Sequence, residues 1–187
     1  DVYKRQEMEC TPMQLANLAA IIANRGYYYI PHMVKDSPDT TIDNRFKERQ
    51  YTMVKPEYFN DVIDGMYLAV NAPAGTGGTA SRARVEGLDI CGKTGTAQNP
   101  HGKDHAVFIC FAPRENPKIA VAAYIENAGF GGTWAAPIAS LLVEKYINGT
   151  ITREDLEKEV LGWDLMQNVR AVSYTHLRAH ETLRYLV

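Results

Sequence analysis

Lys93, Thr94, Gly95 and Thr96 are consecutive residues that combine a cation, two hydroxyls and a position without a side chain. The Lys93 ammonium supplies positive potential that favours an ionised nucleophile and a substrate carboxylate, and the Thr94 hydroxyl can hydrogen-bond that carboxylate. Gly95 allows an extended peptide to approach the backbone closely. The N–H of Thr96 is placed to donate to a developing oxyanion. We therefore predict that this tetrapeptide borders a cleft suited to serine-based acyl transfer.

The same lysine also completes a phosphate-binding pattern. The stretch from Gly87 to Thr94 matches Gly-x-x-x-x-Gly-Lys-Thr. That loop binds phosphate only where a helix starts at the lysine, because the first N–H groups of the helix face the phosphate. Gly95, Pro100 and Gly102 follow the lysine and disfavour such a helix. A P-loop nucleotide-binding module remains an alternative, and it predicts a helix from about Lys93.

Three helical patterns and three strand candidates must position these residues. Thr11, Pro12 and Gln14 form a capping box that opens a helix ending near Asn24, and its nearly uniform apolarity predicts burial on all sides. The charged segment 153–159 is predicted to be solvated. An antiparallel sheet with helices on both faces, an α+β arrangement, is the predicted fold. The predicted helices span residues 11–24, 56–70 and 135–147, and the predicted strands span residues 88–96, 106–112 and 119–125.

Composition excludes several classes of protein. The formal net charge is -2 over 187 residues, and no run of five or more like charges occurs, which argues against nucleic-acid binding. No stretch of 18 apolar residues is present. The three cysteines form no Cys-x-x-Cys pair, which argues against a cysteine zinc site, and no metal site is predicted. We expect Cys91 and Cys110 to be free buried thiols and His105 to make a structural hydrogen bond.

Several spaced motifs carry a family resemblance. Their order along the chain closely resembles the C-terminal half of class B penicillin-binding protein transpeptidase domains, and among these the elongation-type enzymes. The resemblance covers about residues 7–151. The motifs are Glu7 with residues 11–16, Gly75 with residues 78–80, and residues 92–98, 104–108, 111–113, 116–121, 126–127 and 135–139.

The resemblance implies part of the serine β-lactamase and penicillin-binding transpeptidase fold. It implies a membrane-anchored D,D-transpeptidase on the extracytoplasmic face, which cross-links peptidoglycan stem peptides, is acylated by β-lactams and works with cell-elongation membrane partners. No cofactor, metal or nucleic acid is implied. By the same resemblance Lys93 and Thr96 are catalytic residues, while Thr94 and Gly95 bind substrate.

The family mechanism also requires Ser-x-x-Lys and Ser-x-Asn motifs, and neither is present in this sequence. Its serines are Ser37, Ser81, Ser140 and Ser173, and none begins either motif. We therefore expect the nucleophile to lie upstream and this polypeptide alone to be inactive. The missing half of the domain would leave strand edges and apolar helix faces exposed. A non-catalytic penicillin-sensing domain of the same fold is a further alternative.

The two ends of the chain are predicted to be foreign to the domain. Residues 1–6 can be coded by a short DNA word whose reverse complement, read in another frame, encodes residues 172–176. We interpret residues 1–6 and 171–187 as translated sequencing-adapter artefacts, and residues 7–170 as the C-terminal portion of the transpeptidase domain.

Overall fold

The computed structural model describes residues 9–34, 41–73 and 75–165. The predicted artefact tails, residues 1–6 and 171–187, lie outside these ranges. Single turns of 3₁₀ helix occupy Asn44–Phe46, Pro56–Tyr58 and Ser81–Ala83. The longer elements are α1 (Pro12–Ala23), β1 (Tyr27–Tyr28), β2 (Gln50–Tyr51), α2 (Phe59–Asn71), β3 (Cys91–Ala97), β4 (His105–Ala112), β5 (Ile119–Ile125), α3 (Ala135–Asn148) and α4 (Glu154–Leu161).

The main sheet has the strand order β3-β4-β5 and is antiparallel throughout. Gly95 is paired with Val107, and Phe108 with Ala123, so the register is continuous across all three strands. The short connection between β4 and β5 forms a hairpin. The mixed helical and antiparallel fold class predicted from the sequence is confirmed.

Helices cover both faces of this sheet. On one face α3 packs against a core that includes Phe108, Cys110 and Val143. On the other face α1 and α2 pack against Cys91 and Phe111, in a second core formed with residues such as Ile63. Successive residues of a strand point to opposite faces of the sheet. Because helices cover both faces, both sets of β4 side chains are largely buried, and the strand is a nearly continuous apolar run in the sequence.

One prediction about helices is wrong. The capping box of α1 is present, with Thr11 and Gln14 bonded reciprocally, but the helix is not buried all round. Its Met13 and Leu18 side chains are 51% and 44% exposed. The charged segment 153–159 is largely solvated, as predicted, and most of it forms α4, which has no buried residue. The Arg153 side chain before α4 is only 21% exposed.

A small tyrosine-rich sheet lies beside α1. Tyr27 of β1 pairs with Tyr51 of β2, and the Arg49 guanidinium lies 4.6 Å from the Tyr27 ring centroid. Strand structure in this region is limited to the two-residue strands β1 and β2. In the described residues, no helix has the length and apolarity needed to cross a bilayer.

Candidate functional site

The tetrapeptide from Lys93 to Thr96 lies in β3, at one edge of the main sheet. A Cβ atom on Gly131 would lie 2.1 Å from the Val107 carbonyl oxygen and 2.6 Å from that of Gly95. Both oxygens therefore face the same point between the strands, which identifies Gly95 and Val107 as a hydrogen-bonded pair. Gly95 thus directs its N–H and C=O toward β4.

The neighbouring residues Thr94 and Thr96 direct their backbone groups the other way. Successive residues of an antiparallel strand alternate the side to which N–H and C=O point. The N–H of Thr96 and the carbonyl of Thr94 therefore face the edge of β3 that no described strand occupies. The Lys93 ammonium folds along this edge and donates to the Thr94 carbonyl oxygen at 2.8 Å. One edge thus presents a cation and backbone donors side by side.

An apolar groove of about 750 Å³ adjoins this edge. Residues of α1, α2, β3, β4 and the segment 76–79 line it, among them Met66 and Ile109. Lys93 is the only charged side chain among the described residues that line the groove. Because apolar walls screen charge poorly, an anion bound here would feel the ammonium more strongly than in open water.

Thr94 is supported by a residue to which the sequence analysis gave no role. The Thr94 and Thr79 hydroxyls lie 3.2 Å apart and share a hydrogen bond. The segment carrying Thr79 is fixed to α2 by the bond from the Ala80 N–H to the Ala69 carbonyl, at 2.9 Å. Gly132 lies so close that a Cβ atom there would be 2.3 Å from the Thr79 carbonyl oxygen. Thr79 stands within the motif of residues 78–80, and this was the only signal for it.

The loop after β3 is tied to the loop after β5. The Asn99 amide donates to the Asn127 side chain at 2.5 Å, and the Gly129 N–H donates to the Asp104 carbonyl at 2.7 Å. His105 Nδ1 accepts from the Asn127 N–H at 3.0 Å. His105 therefore makes the predicted structural hydrogen bond. These bonds hold residues 129–132 over β3 and β4.

A buried ion pair stabilises the wall behind Thr79. The Arg153 guanidinium donates to the Glu144 carboxylate at 2.9 Å and to the Ser140 hydroxyl at 3.0 Å. It also donates to the carbonyls of Arg82 and Arg84, at 3.5 and 3.3 Å. Glu144 is fully buried on α3. The Arg153 side chain therefore connects the turn that follows Thr79 to α3.

The structure contradicts the P-loop alternative. Lys93 is the third residue of β3, and the strand continues through Ala97 where nucleotide binding would require a helix. The residues from Gly87 to Thr94 therefore offer no helix N-terminus to a phosphate. Among the residues that the structure describes, no cluster of three potential metal ligands occurs.

Most of the chain matches a known protein family. Residues 6–144 match the family model of the penicillin binding protein transpeptidase domain. The chain is 35% identical over 148 residues to the peptidoglycan D,D-transpeptidase PbpA of Mycolicibacterium smegmatis, covering 72% of this chain and 28% of that protein. It is 33% identical over 156 residues to the peptidoglycan D,D-transpeptidase MrdA of Haemophilus influenzae, covering 74% of this chain and 24% of that protein. The chain thus spans about a quarter of the length of these relatives.

Solved structures agree with these sequence relatives. Pseudomonas aeruginosa PBP2, solved in complex with WCK 5153, superposes with a TM-score of 0.62 at 34% identity, covering 79% of this chain and 32% of that one. Penicillin-binding protein A from M. tuberculosis, solved as a ceftriaxone acyl-enzyme complex, gives a TM-score of 0.60 at 31% identity, covering 73% and 32%.

Proposed function

Because the chain belongs to the penicillin-binding protein transpeptidase domain family, we propose that it is the carboxylate- and oxyanion-binding part of a peptidoglycan D,D-transpeptidase. The observation that carries this proposal is the edge of β3. There the Lys93 ammonium and the outward-facing backbone of Thr94 and Thr96 lie beside an open groove. This arrangement suits an extended acyl donor that ends in a carboxylate.

Each residue of the tetrapeptide has a distinct role in this proposal. Lys93 supplies positive potential, and Thr94 binds the terminal carboxylate of a stem peptide or a β-lactam, with Thr79 as its neighbour. The Thr96 N–H donates to the oxygen of the tetrahedral intermediate. Gly95 keeps the strand free of a side chain, so that the donor peptide can lie along it. Lys93 and Thr96 are thus proposed as catalytic, and Thr94 and Gly95 as substrate-binding residues.

The remaining parts of the site are proposed to lie upstream of residue 7. The Ser-x-x-Lys and Ser-x-Asn motifs of the family would close the groove from the side opposite β3. The complete protein is proposed to be membrane-anchored, to act on the extracytoplasmic face and to work with cell-elongation partners, as an enzyme of the type to which PbpA and MrdA belong. We likewise propose that the domain extends over residues 7–170 and that residues 1–6 and 171–187 are adapter-derived.

The role of Thr94 can be tested in the complete protein that carries this segment. Thr94→Val removes the hydroxyl at nearly constant volume, and Thr94→Ser keeps it. Since a hydrogen bond to a charged group contributes about 1.5–3 kcal/mol, we expect Thr94→Val to slow acylation by a fluorescent penicillin roughly 10- to 100-fold. Thr94→Ser should retain most of the rate. The exposed Thr150 gives the matched control Thr150→Val, which should leave the rate unchanged.

The same experiment tests the transpeptidase activity separately from the role of Thr94. A complete protein that takes up no penicillin would refute the transpeptidase proposal. A labelled protein in which Thr94→Val reacts as fast as the wild type would refute only the role of Thr94. Competition by a penicillin methyl ester adds a direct readout of carboxylate binding, because the ester should compete less well than the free acid with the wild type and equally with the valine variant.

A further inference from the structure

Thr79 lies outside β3 but contacts the hydroxyl that is proposed to bind the substrate carboxylate. Its Oγ1 atom lies 3.2 Å from that of Thr94, within hydrogen-bond distance. Thr79 is exposed and lines the same groove as Lys93, whereas Thr94 is half-buried. A ligand that enters the groove toward Lys93 therefore comes close to the contact between the two hydroxyls.

The backbone is held in place on both sides of Thr79. The Ala80 N–H donates to the Ala69 carbonyl at 2.9 Å, and Ala80 itself is fully buried. A Cβ atom on Gly78 would lie 3.2 Å from the same carbonyl oxygen, so this residue also packs closely on α2. Because a β-branched side chain has few rotamers, a fixed backbone also restricts the position of the Thr79 hydroxyl. Thr79 thus offers Thr94 a hydrogen-bond partner whose position does not depend on a ligand.

The number of protons on the two hydroxyls decides what Thr79 can do for Thr94. A threonine hydroxyl has one O–H to donate and two lone pairs with which to accept. When Thr94 donates its proton to a carboxylate, it can no longer donate to Thr79. The contact between the two oxygens then persists as a hydrogen bond only if the Thr79 hydroxyl donates to the Thr94 oxygen. Such a chain polarises each O–H group and strengthens the bond to the anion.

We propose that Thr79 is a positioning residue for the substrate carboxylate: its hydroxyl donates to the Thr94 oxygen and so orients the Thr94 hydroxyl toward the anion. This inference rests on the proposed function, in which Thr94 binds the terminal carboxylate of a stem peptide or a β-lactam. Thr79 acts through Thr94 and makes no contact of its own with the substrate. Because a carboxylate accepts a stronger hydrogen bond than an ester does, Thr79 favours substrates whose carboxylate is free.

Variants of the complete protein that carries this segment test the inference. Thr79→Val removes the hydroxyl at nearly constant volume. It should slow acylation by a fluorescent penicillin about 3- to 10-fold, because a hydrogen bond between neutral groups contributes modestly. Thr79→Ser keeps the hydroxyl and should retain most of the rate. In the Thr94→Val background, Thr79→Val should cause no further loss, since the group through which it acts is gone. The control Thr150→Val, at an exposed position, should leave the rate unchanged.

A penicillin methyl ester distinguishes orientation of the Thr94 hydroxyl from general damage to the site. A merely structural role for Thr79 would slow the reactions of the free acid and of the ester to the same extent. We expect Thr79→Val to slow the reaction of the free acid alone. The ester, measured by competition with the fluorescent penicillin, should react with this variant at the wild-type rate.

The outcomes separate failure of this inference from failure of the proposed function. A complete wild-type protein that takes up no penicillin would overturn both. Acylation that is slowed by Thr94→Val but not by Thr79→Val would overturn this inference alone. A loss of rate that persists in the Thr94→Val background would mean that Thr79 contacts the substrate directly, and an equal loss with the ester would mean a structural role. Either result would also overturn the inference.

Discussion

Cys91 and Cys110 are buried on opposite faces of the main sheet. The pairs Cys91–Phe111 and Gly92–Cys110 set the two thiols one position out of register, so strand alternation separates them. The predicted free buried state is thus confirmed. Burial raises the pKa of each thiol to about 12, so almost no reactive thiolate exists near neutral pH.

This separation predicts the reactivity of the thiols. Ellman's reagent should titrate only Cys10, which is exposed, in the native chain, and all three thiols after denaturation in guanidinium chloride. The variant Cys10→Ser should show no reactive thiol before denaturation. A second thiol that reacts rapidly in the native chain would mean that one face of the sheet is open to solvent.

Single residues also show how far the site could be predicted from sequence. That Lys93 to Thr96 lie together in a strand could be predicted, because they are consecutive residues, while their roles stay a prediction. Thr79 could not, because its contact with Thr94 depends on the path of the connection after α2 and on the close approach of Gly132. Arg153 was missed for a related reason. Its partner Glu144 lies on another helix, and a charged residue gives no sequence signal of burial.

At the scale of elements, the buried carboxylate of Glu144 connects α3 to the start of α4. Burial opposes its ionisation, but hydrogen bonds from the Thr152 hydroxyl and N–H and from Arg153 outweigh that effect and lower the pKa of Glu144 below its ordinary value of 4.5. A group with a lowered pKa in the folded state stabilises the fold above its unfolded pKa. That stabilisation is lost as the pH falls through the folded pKa.

We predict that Glu144→Gln lowers the free energy of unfolding by about 3–5 kcal/mol at pH 7, because it leaves the Arg153 charge without its buried partner. The difference from the wild type should shrink as the pH falls from 4.5 through the lower pKa of the folded state, because the unfolded carboxylate binds a proton first and the folded carboxylate only at that lower pKa. Urea titrations followed by circular dichroism measure both quantities. Glu86→Gln, at an exposed position, is the control. A difference that does not change with pH would exclude the ionised pair as its cause.

Sequence patterns located the buried elements better than the exposed ones. Residues 106–112 were predicted as a strand and lie within β4, and α3 extends only one residue beyond its prediction, because continuous apolar runs mark buried elements. β3 begins at Cys91, later than predicted, since the preceding residues form a turn closed by the Val85–Leu88 bridge. α4 was not predicted because it has no buried residue. Contacts between its C-terminal end and other parts of the chain hold it in place. Arg82 pairs with Glu159, and Trp163 packs edge-on against Trp134.

At the scale of the whole molecule, the two edges of the sheet offer different chemistry. The β3 edge combines a cation with an apolar groove, and the β5 edge is uncharged and flat between its terminal charges. In the described residues, helices cover both faces of the sheet, and no described strand pairs with either edge.

The chemistry of the β3 edge leads to a prediction about the isolated chain. The β3 edge can bind and polarise an acyl donor, but acylation also requires a serine activated by a nearby base. Ser140 is fully buried and donates to the Pro137 carbonyl, and Ser81 has no lysine three residues later. We therefore expect no boiling-resistant adduct between the isolated chain and a fluorescent penicillin, whereas the complete protein should be labelled. Replacing the serine of its Ser-x-x-Lys motif by alanine should abolish that labelling. A covalent adduct on the isolated chain would place a nucleophile within these 187 residues and require a different mechanism.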